Sequence, residues 1–205
     1  MPSIGAIILA AGGGSRMGRT KQLLPIGGQS LVCRAARAAL DAGCRPAVIV
    51  TGSDADAVTA DIADLPVQSA FNPNWSAGIG TSIRCGLSAV LAIDPSIAAV
   101  IVALCDQPRL SADILGDLIA AWSAAGKPMA ACGYAGTVGP PCCFDKSMFD
   151  QLSRLADADG AKRLLLVDPA SVTTIPWPAG ADDLDTPADW QRFCQTDPPP
   201  AESPQ

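Results

Sequence analysis

Apolar residues along this chain gather into short unbroken runs, separated by longer stretches in which they recur at helical spacing. The runs at 4–10, 47–51 and 98–104 are rich in Ile, Val, Leu and Ala and read as strands buried on both faces. Residues 67–70, just after Pro66, and residues 129–132 and 172–175 are weaker candidates of the same kind. Helical periodicity covers 30–42, 54–63, 81–92, 112–124, 147–155, 161–167 and 187–193. Continuous apolar strands alternating with helices predict an α/β fold: a single Rossmann-like, mostly parallel sheet with helices on both faces. No repeat or linker divides the chain, so residues 1–195 are expected to form one domain. Residues 196–205 carry four prolines and no apolar period, and are expected to be a disordered tail.

Composition narrows the picture. Of 205 residues, 49% are apolar and 17% charged, enough for a sizeable core. No run approaches the roughly 20 apolar residues of a membrane span, and the first residues lack the basic flank and cleavage site of a signal peptide. A cytoplasmic protein without a membrane partner is expected. With 14 basic and 20 acidic residues the formal charge is −6, and no basic block occurs. That argues against a nucleic-acid partner, but not against an anionic small molecule met by a few placed cations. There is no histidine, which removes Ser-His-Asp and Cys-His machineries and His-containing zinc sites. The eight cysteines include no C-x-x-C and read as reduced, mostly buried small residues.

Ligands of an open parallel sheet lie beyond the carboxyl ends of its strands. Two such ends carry chemistry: Leu9-Ala10-Ala11-Gly12-Gly13-Gly14-Ser15-Arg16-Met17-Gly18-Arg19-Thr20-Lys21, and Leu104-Cys105-Asp106-Gln107-Pro108. A strand that ends in small residues and glycines lets backbone N–H groups approach a phosphate. This loop is not a dinucleotide fingerprint, because Met17 stands three after Gly14. Nor is it a P-loop, because Gly18 is followed by Arg19-Thr20. Pro25, Gly27 and Gly28 keep it extended until a helix begins near Ser30. Arg16 and Lys21 are spaced to clamp a triphosphate; a plain glycine turn with solvated cations is the competing reading. Asp106 stands at the mouth of a buried strand, where a carboxylate is costly unless paired or metal-bound. It suits Mg²⁺, which takes one or two carboxylates and completes its shell with phosphate oxygens and water. Otherwise it caps the turn before Pro108.

The residues Leu9-Ala10-Ala11-Gly12-x-Gly14-x-Arg16-Met17-Gly18-x-x-Lys21-x-Leu23-Leu24-Pro25 resemble the signature loop of the MobA-like nucleotidyltransferases, in particular the molybdenum cofactor cytidylyltransferases. The likeness continues in order through Asn72-Pro73-x-Trp75-x-x-Gly78-x-x-x-Ser82, Asp106-x-Pro108, Gly139-x-Pro141 with Phe144, Ala158-Asp159-Gly160-Ala161-Lys162, and Asp183-x-Asp185-Thr186-Pro187-x-Asp189. It covers nearly the whole chain to Phe193.

The resemblance implies a fold of the nucleotide-diphospho-sugar transferase type and transfer of CMP from CTP to a phosphorylated pterin. Leu9, Ala10, Ala11, Gly12, Gly13 and Gly14 would hold base and phosphates, together with Asn72, Gly78 and Ser82. Arg16, Lys21 and Asp106 would be catalytic, and Asp106 with Asp185 would hold Mg²⁺. Asp183 rivals Asp185, and Asp185 or Thr186 could instead be the N-cap of the helix starting at Pro187. Trp75 would stack on a ring, cover the acceptor, or pack on its own loop. Ala11, where guanylyl-transferring relatives tend to carry glycine, points to CTP. A molybdenum hydroxylase or its maturation chaperone is the implied partner. The chain departs from the family at Gly139-Pro140-Pro141, where many members read Gly-His-Pro; the departure bears on the acceptor more than on the nucleotide. Transfer to another phosphorylated acceptor, and a repurposed oxidoreductase or cofactor chaperone, are the competing readings.

Overall fold

The computed structural model of the chain describes residues 2–13, 20–182, 184 and 186–196. Strand β1 (Ile4–Leu9) is buried at every position. A 3₁₀ turn (Lys21–Leu23) follows, then the short strands β2 (Pro25–Ile26) and β3 (Gln29–Ser30), helix α1 (Leu31–Asp41), β4 (Ala47–Thr51), α2 (Ala55–Asp61) and β5 (Gln68–Phe71). The chain goes on through α3 (Ile79–Ile93), β6 (Ala99–Leu104), α4 (Ala112–Ala125), β7 (Met129–Tyr134) and β8 (Thr137–Asp145). Helices α5 (Phe149–Ser153) and α6 (Lys162–Val167), strand β9 (Val172–Pro176) and helix α7 (Pro187–Thr196) complete it.

Among the described residues, one sheet of seven strands has the order β5-β4-β1-β6-β8-β7-β9, and β8 alone runs antiparallel to its neighbours. The chain leaves β1 toward β4 on one side and comes back to β6 on the other. A crevice therefore opens beyond the carboxyl ends of β1 and β6, the place where this architecture binds ligands. Leu9 and Leu104 are register partners, so the two strands end level.

Alternation along β1 feeds two cores. Ile4, Ala6 and Ile8 pack with α1, α2 and α4; Ile7 and Leu9 pack with α3, α5 and α6. Helix α3 lies close to the sheet because of Gly86, whose absent side chain would fall 2.3 Å from Ile7 Cγ2 and 2.9 Å from Val50 Cγ2. A third, smaller cluster joins Leu24, Ile26 and Leu31 to Leu184 and Phe193, which seats α7 against the segment that follows the glycine loop. Among the described residues three α-helices start on side-chain caps, Ser111 Oγ accepting from Ile114 N–H at 3.4 Å at the start of α4. Ser30 Oγ accepts from Cys33 N–H at 3.1 Å. Thr186 caps α7: its Oγ1 accepts from Asp189 N–H at 3.2 Å while Asp189 Oδ2 accepts from Thr186 N–H at 2.9 Å, a reciprocal capping box with Pro187 in the first turn.

Strand β8 departs from the sequence expectation, which has no strand over 137–145. Prolines in mid-run argue against a ladder, since they bring no N–H. The register explains how the strand tolerates them: Ala131 pairs with Cys142 and Cys132 with Gly139, so Pro140 and Pro141 bulge out with no partner in β7. Pairing with β6 also stops at Cys142. The β2–β3 hairpin was likewise unforeseen; its turn is Gly27-Gly28, both with positive φ (58° and 79°). The stretch expected to stay extended before Ser30 thus holds a 3₁₀ turn and a hairpin. The helix expected over 147–155 divides into a 3₁₀ turn (Lys146–Met148) and α5. Helix α7 runs on to Thr196, and the rest of the expected tail, 197–205, lies outside the described residues. Among the described residues no helix is long and apolar enough to cross a membrane.

Candidate functional site

Beyond β1 the chain turns away from the sheet with its small side chains still buried. Leu9, Ala10 and Ala11 are 8%, 3% and 6% exposed, and they enter the two cores, so what they present at the crevice is backbone. The Ala10 N–H donates to Val50 O at 2.9 Å, and the Ala11 carbonyl accepts from Ser53 N–H at 3.3 Å. The carbonyls of Ala10 and Gly12 accept from Gln22 Nε2 at 3.0 and 2.5 Å.

The glycines here differ in why they are glycines. A side chain at Gly52 would strike the Ala11 carbonyl oxygen at 2.3 Å and Trp75 Cγ at 2.8 Å, so Gly52 is needed for packing. At Gly13 the Trp75 ring lies 3.2 Å from the would-be Cβ. Gly12 is exposed and has no described atom within 4 Å of its would-be Cβ. No described atom therefore requires a glycine at this position.

Across the crevice, Lys21 Nζ lies 2.6 Å from Asp106 Oδ2, with the two side chains 14% and 20% exposed. The other oxygen, Asp106 Oδ1, is buried without a hydrogen-bond partner among the described residues. The next residue, Gln107, is buried and donates from Nε2 to Pro140 O at 3.1 Å and to Gly180 O at 3.3 Å. Tyr134 Oη donates to the same Pro140 carbonyl at 2.9 Å. The bulged prolines of β8 are thereby fixed beside the Asp106 turn. Arg34, at the start of α1, donates to Pro108 O at 3.3 Å, and Arg109 Nε pairs with Asp182 Oδ2 at 2.6 Å.

The third wall is the loop from β5 to α3. Asn72 is 3% exposed and all of its side-chain groups are engaged: Nδ2 donates to Thr81 Oγ1 (2.8 Å) and Ser82 Oγ (3.0 Å), and Oδ1 accepts from Asn74 N–H (3.0 Å). Ser82 is 4% exposed. The geometry gives Asn72 and Ser82 the work of pinning this loop to the first turn of α3. Gly78, at φ 140°, lies against the backbone of Asp157, whose carbonyl oxygen is 2.2 Å from the would-be Cβ. Gly80 N–H donates to Asp157 O at 2.9 Å, and Arg84 pairs with Asp157 Oδ1 at 2.6 Å. The Ala158-Asp159-Gly160 segment singled out in the sequence is therefore a support behind the loop. Trp75 is half-buried between Gly13 and Gly52, and forms the wall itself.

The structure thus brings Lys21 to Asp106, sets Trp75 against Gly13 and Gly52, and puts Asn72, Gly78 and Ser82 in the loop that supports Trp75. Gly14, Arg16, Asp183 and Asp185 lie outside the described residues; Leu184, between the two aspartates, is packed with Leu24 and Leu31. Sequence reasoning missed Gln22, Gly52, Gln107, Tyr134 and Arg34. What the sequence offered was position alone: Gln22 and Gln107 adjoin Lys21 and Asp106, and Gly52 directly follows the strand expected over 47–51.

A hard divalent cation fits this donor set. Asp106 offers an oxygen that is buried without a partner, and an ion such as Mg²⁺ needs few carboxylates when phosphates and water complete its shell. Among the described residues no group of three or more His, Cys, Asp or Glu is arranged to hold a metal. The cysteines do not compete for one. Burial pushes the Cys44 thiol up to about 11 and Cys132 to about 12, with Cys142 and Cys143 also raised.

Comparison with known proteins places this geometry in context. The profile of the MobA-like NTP transferase domain matches residues 6–172. Nicotine blue oxidoreductase of Paenarthrobacter nicotinovorans is 40% identical over 120 residues, which are 58% of this chain and 57% of that protein. Purine catabolism protein PucB of Bacillus subtilis is 26% identical over 201 residues, 92% of this chain and 95% of that one. Rv0371c from Mycobacterium tuberculosis superposes with a TM-score of 0.79 at 27% identity, covering 95% of this chain and 98% of that one. Its complex with manganese gives 0.77 at 26%.

Proposed function

This chain belongs to the MobA-like NTP transferase domain family, and from that footing we propose that it transfers CMP from CTP to a phosphorylated pterin, molybdopterin or the molybdenum cofactor. The observation that carries the reading is the Lys21–Asp106 pair beside the glycine loop, with Asp106 Oδ1 left over. An oxygen of the acceptor phosphate attacks the α-phosphorus of CTP. A new P–O bond forms, the bond from that phosphorus to the α,β-bridging oxygen breaks, and its electrons leave with pyrophosphate. The acceptor phosphate is already ionised, so the step needs placement and charge neutralisation rather than a protein base. A chain without histidine loses nothing by this.

In this reading the backbone of residues 9–14 cradles base and phosphates. Arg16 and Lys21 neutralise the triphosphate and the departing pyrophosphate. Asn72, Gly78 and Ser82 set the loop that carries Trp75 to the opposite wall. Asp106, with Asp185 as a second carboxylate, holds Mg²⁺, which when bound supplies charge neutralisation at the phosphate oxygens. The manganese complex of Rv0371c supports a divalent ion. The choice of CTP rests on Ala11 and that of a pterin on the cytidylyltransferase resemblance, with the product passing to a molybdenum hydroxylase or its chaperone. The test is pyrophosphate release with each nucleoside triphosphate, with and without molybdopterin. CTP-specific, pterin-dependent release is expected; release independent of the pterin with a sugar phosphate present would reassign the acceptor.

One observation favours a second reading. The relative at 40% identity is an oxidoreductase, and this chain spans only 57% of it. Oxidation of NADH or NADPH by a dye substrate, with no pyrophosphate release from any triphosphate, would select a redox enzyme on the same fold.

A further inference from the structure

Gln22 is 3% exposed and sits on the 3₁₀ turn directly after Lys21. Neighbours on that turn face different ways: Lys21 reaches Asp106, and Gln22 reaches back beneath the glycine loop. Its amide nitrogen gives bonds to the carbonyls of Ala10 and Gly12, while the carbonyl between them, that of Ala11, is held by Ser53 N–H. Three successive carbonyls are therefore tied to donors of the protein. The N–H groups of Ala11, Gly12 and Gly13 donate to no described acceptor. Successive free N–H groups form an anion-facing surface only while the carbonyls of the same peptides are kept turned away. Gln22 Oε1 is buried with no partner among the described residues, so the side chain is placed for what its nitrogen does.

We propose that Gln22 is a positioning residue that sets the anion affinity of the glycine loop by locking the Ala10 and Gly12 carbonyls away from the crevice. The inference rests on the reading of this loop as a triphosphate cradle. Gln22 touches no substrate and acts through the backbone of its neighbours. Its removal therefore weakens ligands in proportion to their phosphate charge, whereas a general loss of packing affects every ligand alike.

The experiment compares wild type with Gln22→Leu, which keeps the bulk and deletes the donors, using inorganic tripolyphosphate, CTP and cytidine as calorimetric probes in the presence of Mg²⁺. Weakening of tripolyphosphate and CTP by tenfold or more, with cytidine changed less than twofold, is the expected result. An equal change for all three, or none, overturns the proposal. If Gln22→Leu does not fold, the wild-type side-chain amide signal of Gln22 decides. Slow hydrogen exchange that persists on adding tripolyphosphate supports the lock, and fast exchange overturns it. Wild type that binds tripolyphosphate without preferring CTP to other triphosphates sinks the nucleotide assignment while the Leu comparison still judges Gln22. Wild type that binds neither overturns both.

Discussion

Lys21 and Asp106 stand 85 positions apart in the chain, and their side chains meet at 2.6 Å across the crevice between β1 and β6. Both are largely buried, so desolvation offsets much of what their attraction contributes and the pair is a poor stability device. Asp106→Asn keeps the shape and removes the charge. Turnover is expected to fall by about a hundredfold or more, as when other preorganised charges are removed, with the fold retained, the melting temperature lowered because Lys21 loses its partner, and Mg²⁺ dependence weakened. Lys21→Met should raise the KM for the triphosphate as well. Near-normal turnover of Asp106→Asn at low Mg²⁺ would remove the metal role.

Gly12 and Gly78 should separate ligand from scaffold. Gly12→Ala meets no described atom, so stability should stay within about 0.5 kcal/mol of wild type while triphosphate binding weakens. Gly78→Ala puts a methyl against the Asp157 carbonyl at a positive φ, and a loss of about 2–3 kcal/mol is expected. Urea midpoints and calorimetry of both variants check the contrast. Equal destabilisation would contradict it.

Tyr134→Phe removes one of two donors to the Pro140 carbonyl without altering the glycine loop. The hydroxyl also accepts a long 3.5 Å bond from Gln107 Nε2; with each lost bond worth about 1 kcal/mol, the KM for the acceptor should rise about fivefold or more. The KM for the nucleotide should not move. A rise confined to the nucleotide would put the Gly139-Pro140-Pro141 segment elsewhere in the reaction.

Base preference is measurable without the acceptor. CTP with Mg²⁺ should raise the melting temperature more than GTP or ATP at equal concentration if Ala11 carries the base preference that the resemblance implies. An equal or larger rise with GTP would cancel the assignment.

The buried thiols make a prediction about alkaline pH. Burial holds Cys44 near 11 and Cys132 near 12, against 9.0 for an ordinary thiol. Because the folded values are raised, the unfolded chain releases protons first, and stability should be complete below pH 9 and fall as pH climbs toward 11–12. At pH 8 a Cys194→Ser variant should react with a thiol reagent only at half-buried Cys33 and Cys85. Rapid modification of Cys142 or Cys143 in the folded protein would show that the core opens.

What the sequence determined by itself was whatever short-range pattern encodes. The unbroken runs of β1, β4 and β6 have no polar alternation, which forces them into the middle of a covered sheet. Ser30 and Thr186-Pro187 mark helix starts because a cap acts within one turn. Glycines, cations and an aspartate at strand ends could be picked out because strand ends are where such a sheet binds ligands. The tertiary structure decided what depends on partners far along the chain. Strand β8 exists despite its prolines because β6 and β7 pair on either side of a bulge, which no local propensity reveals. The division of labour among glycines follows from distant atoms, the Ala11 carbonyl for Gly52 and the Asp157 carbonyl for Gly78. Gln22 and Gln107 read as ordinary polar residues until folding surrounds them with backbone carbonyls, and a buried carbonyl must find a donor wherever the chain has placed one.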